Sequence, residues 1–110
     1  MEGLKTTIAK GWFKFTKEDI FREAVNLYGV YELISGNGEI LYVGVGNLRD
    51  ELLTHLPSGS DPIMGASYFR YEVTENIDEA EKRQKALLDG YSKKHGELPR
   101  FNRKIRKRKS

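Results

Sequence analysis

Apolar residues along this chain fall into short blocks whose spacing changes from about two to about 3.6, and each change of period marks a change of element. Residues 4 to 15 alternate weakly and include Trp12, Phe13 and Phe15, which predicts an extended segment. Thr16 and Asp19 form a capping pair, and Ile20, Phe21, Ala24 and Val25 recur at helical spacing behind it, predicting a short helix. Two β-rich runs follow, Val30 to Ile34 and Ile40 to Val45, separated by Ser35-Gly36-Asn37-Gly38. The Asn-Gly pair favours a tight turn, so a β-hairpin is expected.

Asn47 stands before Leu48, Leu52, Leu53 and Leu56 as the N-cap of a second short helix that Pro57 stops. Residues 57 to 66 carry two prolines, two glycines and two serines and read as a surface loop. From Ser67 to Thr74 strict alternation returns, with Tyr68, Arg70 and Glu72 facing one way and Phe69, Tyr71 and Val73 the other. Asp78 is the expected cap of a last, longer helix whose face runs through Ala80, Gln84, Leu87, Leu88 and Tyr91, until Gly96 and Pro99 end it. The pattern predicts an α/β (α+β) domain: a small central antiparallel sheet of three strands flanked by helices.

Length and composition narrow the classes. A chain of 110 residues supports one core, with no internal repeat or second-domain linker. No apolar run reaches the roughly 18 residues of a membrane span, and the first residues lack the pattern of a secretory signal, so a cytoplasmic protein with no membrane partner is expected. Without cysteine there is no disulfide, thiolate metal site or cysteine nucleophile. Charge is unevenly placed: residues 103 to 110 hold six of the 19 Lys and Arg and no acidic residue, leaving 13 against 16 Asp and Glu elsewhere, a net of −3. Clustered cations of this kind neutralise phosphates, so Arg100, Arg103, Lys104, Arg106, Lys107, Arg108 and Lys109 are the candidate contacts to DNA or RNA. The bland alternative is a solvated, disordered terminus that aids solubility. Oligomeric state is not legible in the sequence.

Two tyrosines on the paired strands, in Gly29-Val30-Tyr31 and Tyr42-Val43-Gly44, are followed by Asn47-Leu48-Arg49-Asp50-Glu51-Leu52 with His55. The late Leu87-Leu88 helix and the Leu98-Pro99-Arg100-Phe101-Asn102 ending complete the set. In this order, over residues 29 to 102, the motifs resemble the GIY-YIG nuclease family. That division leaves residues 1 to 28 as an N-terminal extension with an aromatic segment and a short helix, and 103 to 110 as a basic tail.

The resemblance implies that Tyr31 and Tyr42 line an active site and help activate water, and that Asn102 supports it. In the family an arginine on the first motif helix stabilises phosphate charge, and a glutamate on the last helix holds a divalent metal. Here those positions fall on Glu51 and Gln84. In phosphoryl transfer one arginine finger is worth about 10³ to 10⁵ in rate, or roughly 4 to 7 kcal/mol. An ionised carboxylate about 4 Å from a phosphate oxygen would instead cost on the order of 4 kcal/mol at an effective dielectric of about 20. A neutral amide is also a poorer ligand for a hard cation than a carboxylate. The expected function is therefore nucleic-acid binding with weak or absent phosphodiesterase activity, with no metal site and no cofactor unless Mg²⁺ or Mn²⁺ serves a residual activity.

Rival readings use the same residues. A rearranged nuclease would take its carboxylate from Glu51 or Glu81 and its cation from Arg49, Arg70 or Arg83, although Arg49 lies about 200° around the helix from Glu51. Alternatively Tyr31 and Tyr42 are cross-strand packing residues, Asn102 a local anchor, and His55 and His95 partners of helix ends. In a third class, the cleft made acidic by Glu51 binds a basic protein partner.

Overall fold

The computed structural model describes residue 8 and residues 11–103. Within them the chain forms an α+β fold of four antiparallel strands and three helices: β1 (Phe13–Lys14), α1 (Lys17–Glu23), β2 (Tyr28–Ser35), β3 (Ile40–Asn47), α2 (Leu48–Thr54), β4 (Ala66–Val73) and α3 (Ile77–His95), closed by a 3₁₀ turn over Arg100–Asn102. The sheet order is β1-β4-β2-β3, so the hairpin's first strand is central and its second forms an edge.

The expected three strands become four because Phe13 and Lys14 pair with Phe69 and Tyr68 of β4. A two-residue strand leaves almost no periodic trace, and of the aromatic side chains that mark this segment Phe13 and Phe15 pack on the core while Trp12 is exposed; Phe13 lies 5.4 Å from Phe69 between ring centroids. Phe13 and Lys14 are thus part of the sheet, and the residues that follow them supply Phe15, Ile20 and Ala24 to the buried cluster. The first helix starts at its predicted cap, where the Thr16 hydroxyl accepts from Asp19 N at 3.1 Å, but it ends before Ala24 and Val25. Phe21, expected on the apolar face, is exposed.

Alternation along β2 sends Tyr31 and Leu33 to one face of the sheet and Val30 and Glu32 to the other. Tyr31 and Leu33 join Phe69, Tyr71, Leu48 and Leu52 beneath α1 and α2. Val30 packs with Val43 and with Leu87 of α3 on the opposite side. Gly38, with φ of 91°, closes the hairpin, and its N–H donates to Ser35 O at 3.0 Å.

Asn47 caps α2 through Asp50 N as expected. The cap of α3 is Asn76 and not Asp78: its side chain accepts from Glu79 N, and Asp78 lies inside the first turn, where its charge complements the helix dipole. Gly96 ends this helix in the left-handed conformation, φ 81°. Val73, expected to face inward with Phe69 and Tyr71, is exposed at the end of β4. Among the described residues, no helix is long and apolar enough to cross a membrane.

Candidate functional site

The hairpin register sets Tyr31 opposite Gly44 and Leu33 opposite Tyr42, which brings both tyrosines to the α1/α2 face with ring centroids 6.1 Å apart. Gly44 is required there: a Cβ on it would stand 2.3 Å from the Tyr31 ring and hydroxyl. Two residues on, Gly46 with φ of +141° lies beneath Glu51, whose Cγ would be 2.8 Å from an added Cβ. The glycines of the second strand therefore make room for the two side chains that meet above it.

Glu51 and His55, one turn apart on α2 and at its end, close over Tyr31. The Tyr31 hydroxyl donates to Glu51 Oε1 at 3.0 Å and lies 2.8 Å from His55 Nε2. On the far side of the imidazole, Nδ1 is 2.7 Å from the Asp61 carbonyl oxygen. A carbonyl only accepts, so Nδ1 carries hydrogen. In the neutral imidazole Nε2 is then an acceptor, and Glu51 and His55 compete for the single phenolic proton. Both contacts become hydrogen bonds at once when Nε2 is also protonated, with imidazolium donating to the Tyr31 oxygen and Tyr31 donating to the Glu51 carboxylate. Tyr31 and His55 are fully buried, and Tyr42 sets its ring edge-on to the imidazole at 5.2 Å.

Gln84 and Asn102 meet not at this hydrogen-bonded group but on the backbone of Val43. Asn102 accepts from Val43 N through Oδ1 at 2.8 Å and donates to Val43 O through Nδ2 at 3.0 Å. Gln84 Nε2 donates to the same carbonyl at 3.1 Å. The two amides thus satisfy the outward-facing groups of Val43 on an edge strand that, among the described residues, has no neighbouring strand on that side. An ionised glutamate at position 84 would set a carboxylate against that carbonyl.

The arginines weighed as substitute cations are committed elsewhere. Arg49 donates to Ala24 O at 3.0 Å and lies over the Phe21 ring, tying α2 to α1. Arg70 pairs with Glu32 at 2.6 Å, and Arg83 with Glu72 at 2.7 Å. Glu81 is exposed, on a surface it shares with Asn76, Asp78, Lys82 and Lys85. Of the expected nucleic-acid contacts, Arg100 pairs with Glu39 at 3.2 Å and Arg103 with Glu97 at 3.0 Å, both on the surface. Lys104, Arg106, Lys107, Arg108 and Lys109 lie outside the described residues.

Among the described residues no three His, Asp or Glu side chains are gathered to hold a metal ion. With the Gln84 amide nitrogen on Val43 and Glu51 Oε1 on Tyr31, the donor set fits Mg²⁺ or Mn²⁺ poorly.

A family model described as a domain of unknown function (DUF7508) matches residues 6–94, more than half of the chain. The chain belongs to the DUF7508 family. No curated protein matches it. In this DUF7508 domain the residues that sequence reasoning left outside the site are His55 and Asp61. The spacing of four between Glu51 and His55 places them on one helix face and was available as a signal. The Asp61 carbonyl was not, because it reaches His55 through the irregular loop after α2. The matched span also takes in β1 and α1.

Proposed function

We propose that this chain is a GIY-YIG nuclease-like domain that binds nucleic acid and has weak or no phosphodiesterase activity. The observation that carries this reading is the pair of contacts at the two departed positions. Glu51 accepts a hydrogen bond from Tyr31, and Gln84 spends its amide nitrogen on the Val43 carbonyl. A site whose tyrosine faces a carboxylate in place of a guanidinium repels a phosphate oxygen where the family attracts one. The antiparallel hairpin, the short helix after it and the long helix behind the sheet support the family resemblance. The basic segment at 103 to 110 supports the choice of ligand, since six clustered cations supply sequence-independent affinity.

A rearranged, active endonuclease is the second reading, favoured by one feature: the Tyr31 hydroxyl lies between a carboxylate and an imidazole that can each take its proton. Cleavage of labelled single-stranded, double-stranded and branched DNA with Mg²⁺ or Mn²⁺ separates the two. The expected outcome is no cutting, together with DNA binding that weakens steeply with salt and falls when residues 103 to 110 are deleted. Metal-dependent cutting that Tyr42→Phe removes would replace the first reading by the second. Recovery of activity in a Glu51→Arg/Gln84→Glu variant would locate the loss in those two substitutions.

A further inference from the structure

Glu32 is the neighbour of Tyr31 in sequence but faces the other side of the sheet, beneath α3, where a carboxylate is 2% exposed. Its Oε1 accepts from Arg70 Nε at 2.6 Å; Oε2 has no hydrogen-bond partner among the described residues. Burial pushes its pKa above the ordinary carboxylate value, against the opposing pull of Arg70.

Glu32 forms the floor of a cleft of about 170 Å³ between the hairpin and the second half of α3, walled by Ile40, Leu87 and Tyr91. This cleft opens into a wider groove of about 550 Å³ that shares Ile40, Tyr91 and Lys94 and adds Glu39 and Arg70. His95 stacks on Tyr91 at 4.1 Å, extending the aromatic wall. Trp12 flanks the rim, with Arg70 over its ring at 5.8 Å. Lys94 has no ion-pair partner among the described residues, and Arg100 stands beside Glu39.

From the mouth inward the groove presents a cation, flat aromatic walls, and at the bottom an acceptor-only group. Those are the complements of a phosphate, a planar ring and an N–H edge. We propose that this cleft is a second binding site, on the sheet face opposite Tyr31, which takes one unpaired nucleotide of a single strand. The base's exocyclic amino group would donate to Glu32 Oε2, its ring would lie against Tyr91, and its phosphate would meet Lys94. The proposal rests on the nucleic-acid reading above and deepens it, because it gives that binding a base preference. Adenine and cytosine carry an amino donor. Uracil offers carbonyl oxygens on either side of its one N–H, and these oppose a carboxylate.

The chain's single tryptophan is a built-in reporter, since Trp12 lies against Arg70 and beside Gly38, both of which line the wider groove. Full-length protein is titrated with single-stranded hexamers of A, C or U, following Trp12 emission together with the anisotropy of a label on the strand. The expected result is an emission change with A and C, and affinity on the order of tenfold above U, a discrimination typical of one well-made base contact. Glu32→Gln should erase the difference between bases, and Lys94→Glu should weaken A and C while its circular dichroism melt stays that of the natural protein. Equal affinity for the three hexamers with no change at Trp12 would overturn the cleft and leave tail-driven binding standing. No binding of any hexamer would overturn both. Base-selective binding that survives deletion of residues 103 to 110 would uphold the cleft and remove the tail from the account.

Discussion

The two faces of the central strand solve the same problem, burying polar groups, in opposite ways. Toward α1 and α2, Tyr31 shares one hydroxyl with Glu51 and His55, a set closed off by the Asp61 carbonyl. Toward α3, Glu32 and Glu72 are matched one to one by Arg70 and Arg83. The first arrangement is joined by a phenol that can donate or accept, so its hydrogen-bond pattern changes with the number of protons present. The second relies on ion pairs whose guanidinium partner stays charged at every ordinary pH.

The largest expected effect comes from unbalancing the ionic face. Arg70→Leu leaves Glu32 buried without its cation and should lower unfolding stability by about 3 to 5 kcal/mol at neutral pH, read as a shift in urea midpoint. The penalty has a definite pH sign. Because the folded-state pKa of Glu32 is raised, the folded chain binds that proton more tightly than the unfolded one. Glu32's contribution to stability is therefore full below the unfolded value of 4.5 and is lost as pH rises through the raised folded value. Acidification should shrink the Arg70→Leu deficit, and a Glu32→Leu/Arg70→Leu variant should sit closer to the natural protein than Arg70→Leu alone at pH 7. A deficit that stays constant with pH would mean that Glu32 is not what makes Arg70 necessary.

Tyr31→Phe tests the other face and should cost about 1 to 3 kcal/mol, since it removes the hydroxyl shared by two polar side chains while keeping the ring. A loss under about 0.5 kcal/mol, the range of an ordinary surface change, would reduce Tyr31 to a packing residue. The smallest effect concerns an element between the two. Asn102→Ala removes both hydrogen bonds to Val43 and should cost about 1 to 2 kcal/mol, with faster amide exchange at Val43 as its local signature.

What could be read in the sequence was local. The hairpin turn, the Asn47 cap, the alternation of β4 and the αL stop at Gly96 each depend on residues within a few positions of one another. The cap of α3 was misplaced by two because Asn76 and Asp78 are both good capping residues, and only the path of the chain leaving β4 decides between them. The strand at Phe13 was hidden for a different reason: it exists through its pairing with β4, more than fifty residues away. That Tyr31 and Tyr42 lie on paired strands followed from the local pattern, and the register brings them to one face. His55 could not be assigned its buried place, because a histidine at a helix end followed by proline is also what a solvent-facing cap looks like. Glu32 escaped notice altogether, as a lone carboxylate in an apolar strand gives no sign of which arginine will reach it.

The two-point grip of Asn102 on Val43 has a consequence for how copies of this protein behave at high concentration. A side-chain amide that offers one donor and one acceptor to an unpaired strand imitates the next strand of a sheet, and it occupies the place where an intruding chain would begin to add. Strands with open margins are templates for fibrous self-association. By setting a plug in the middle of β3, Asn102, with Gln84 on the same carbonyl, blocks strand addition at Val43 on the margin that carries Tyr42.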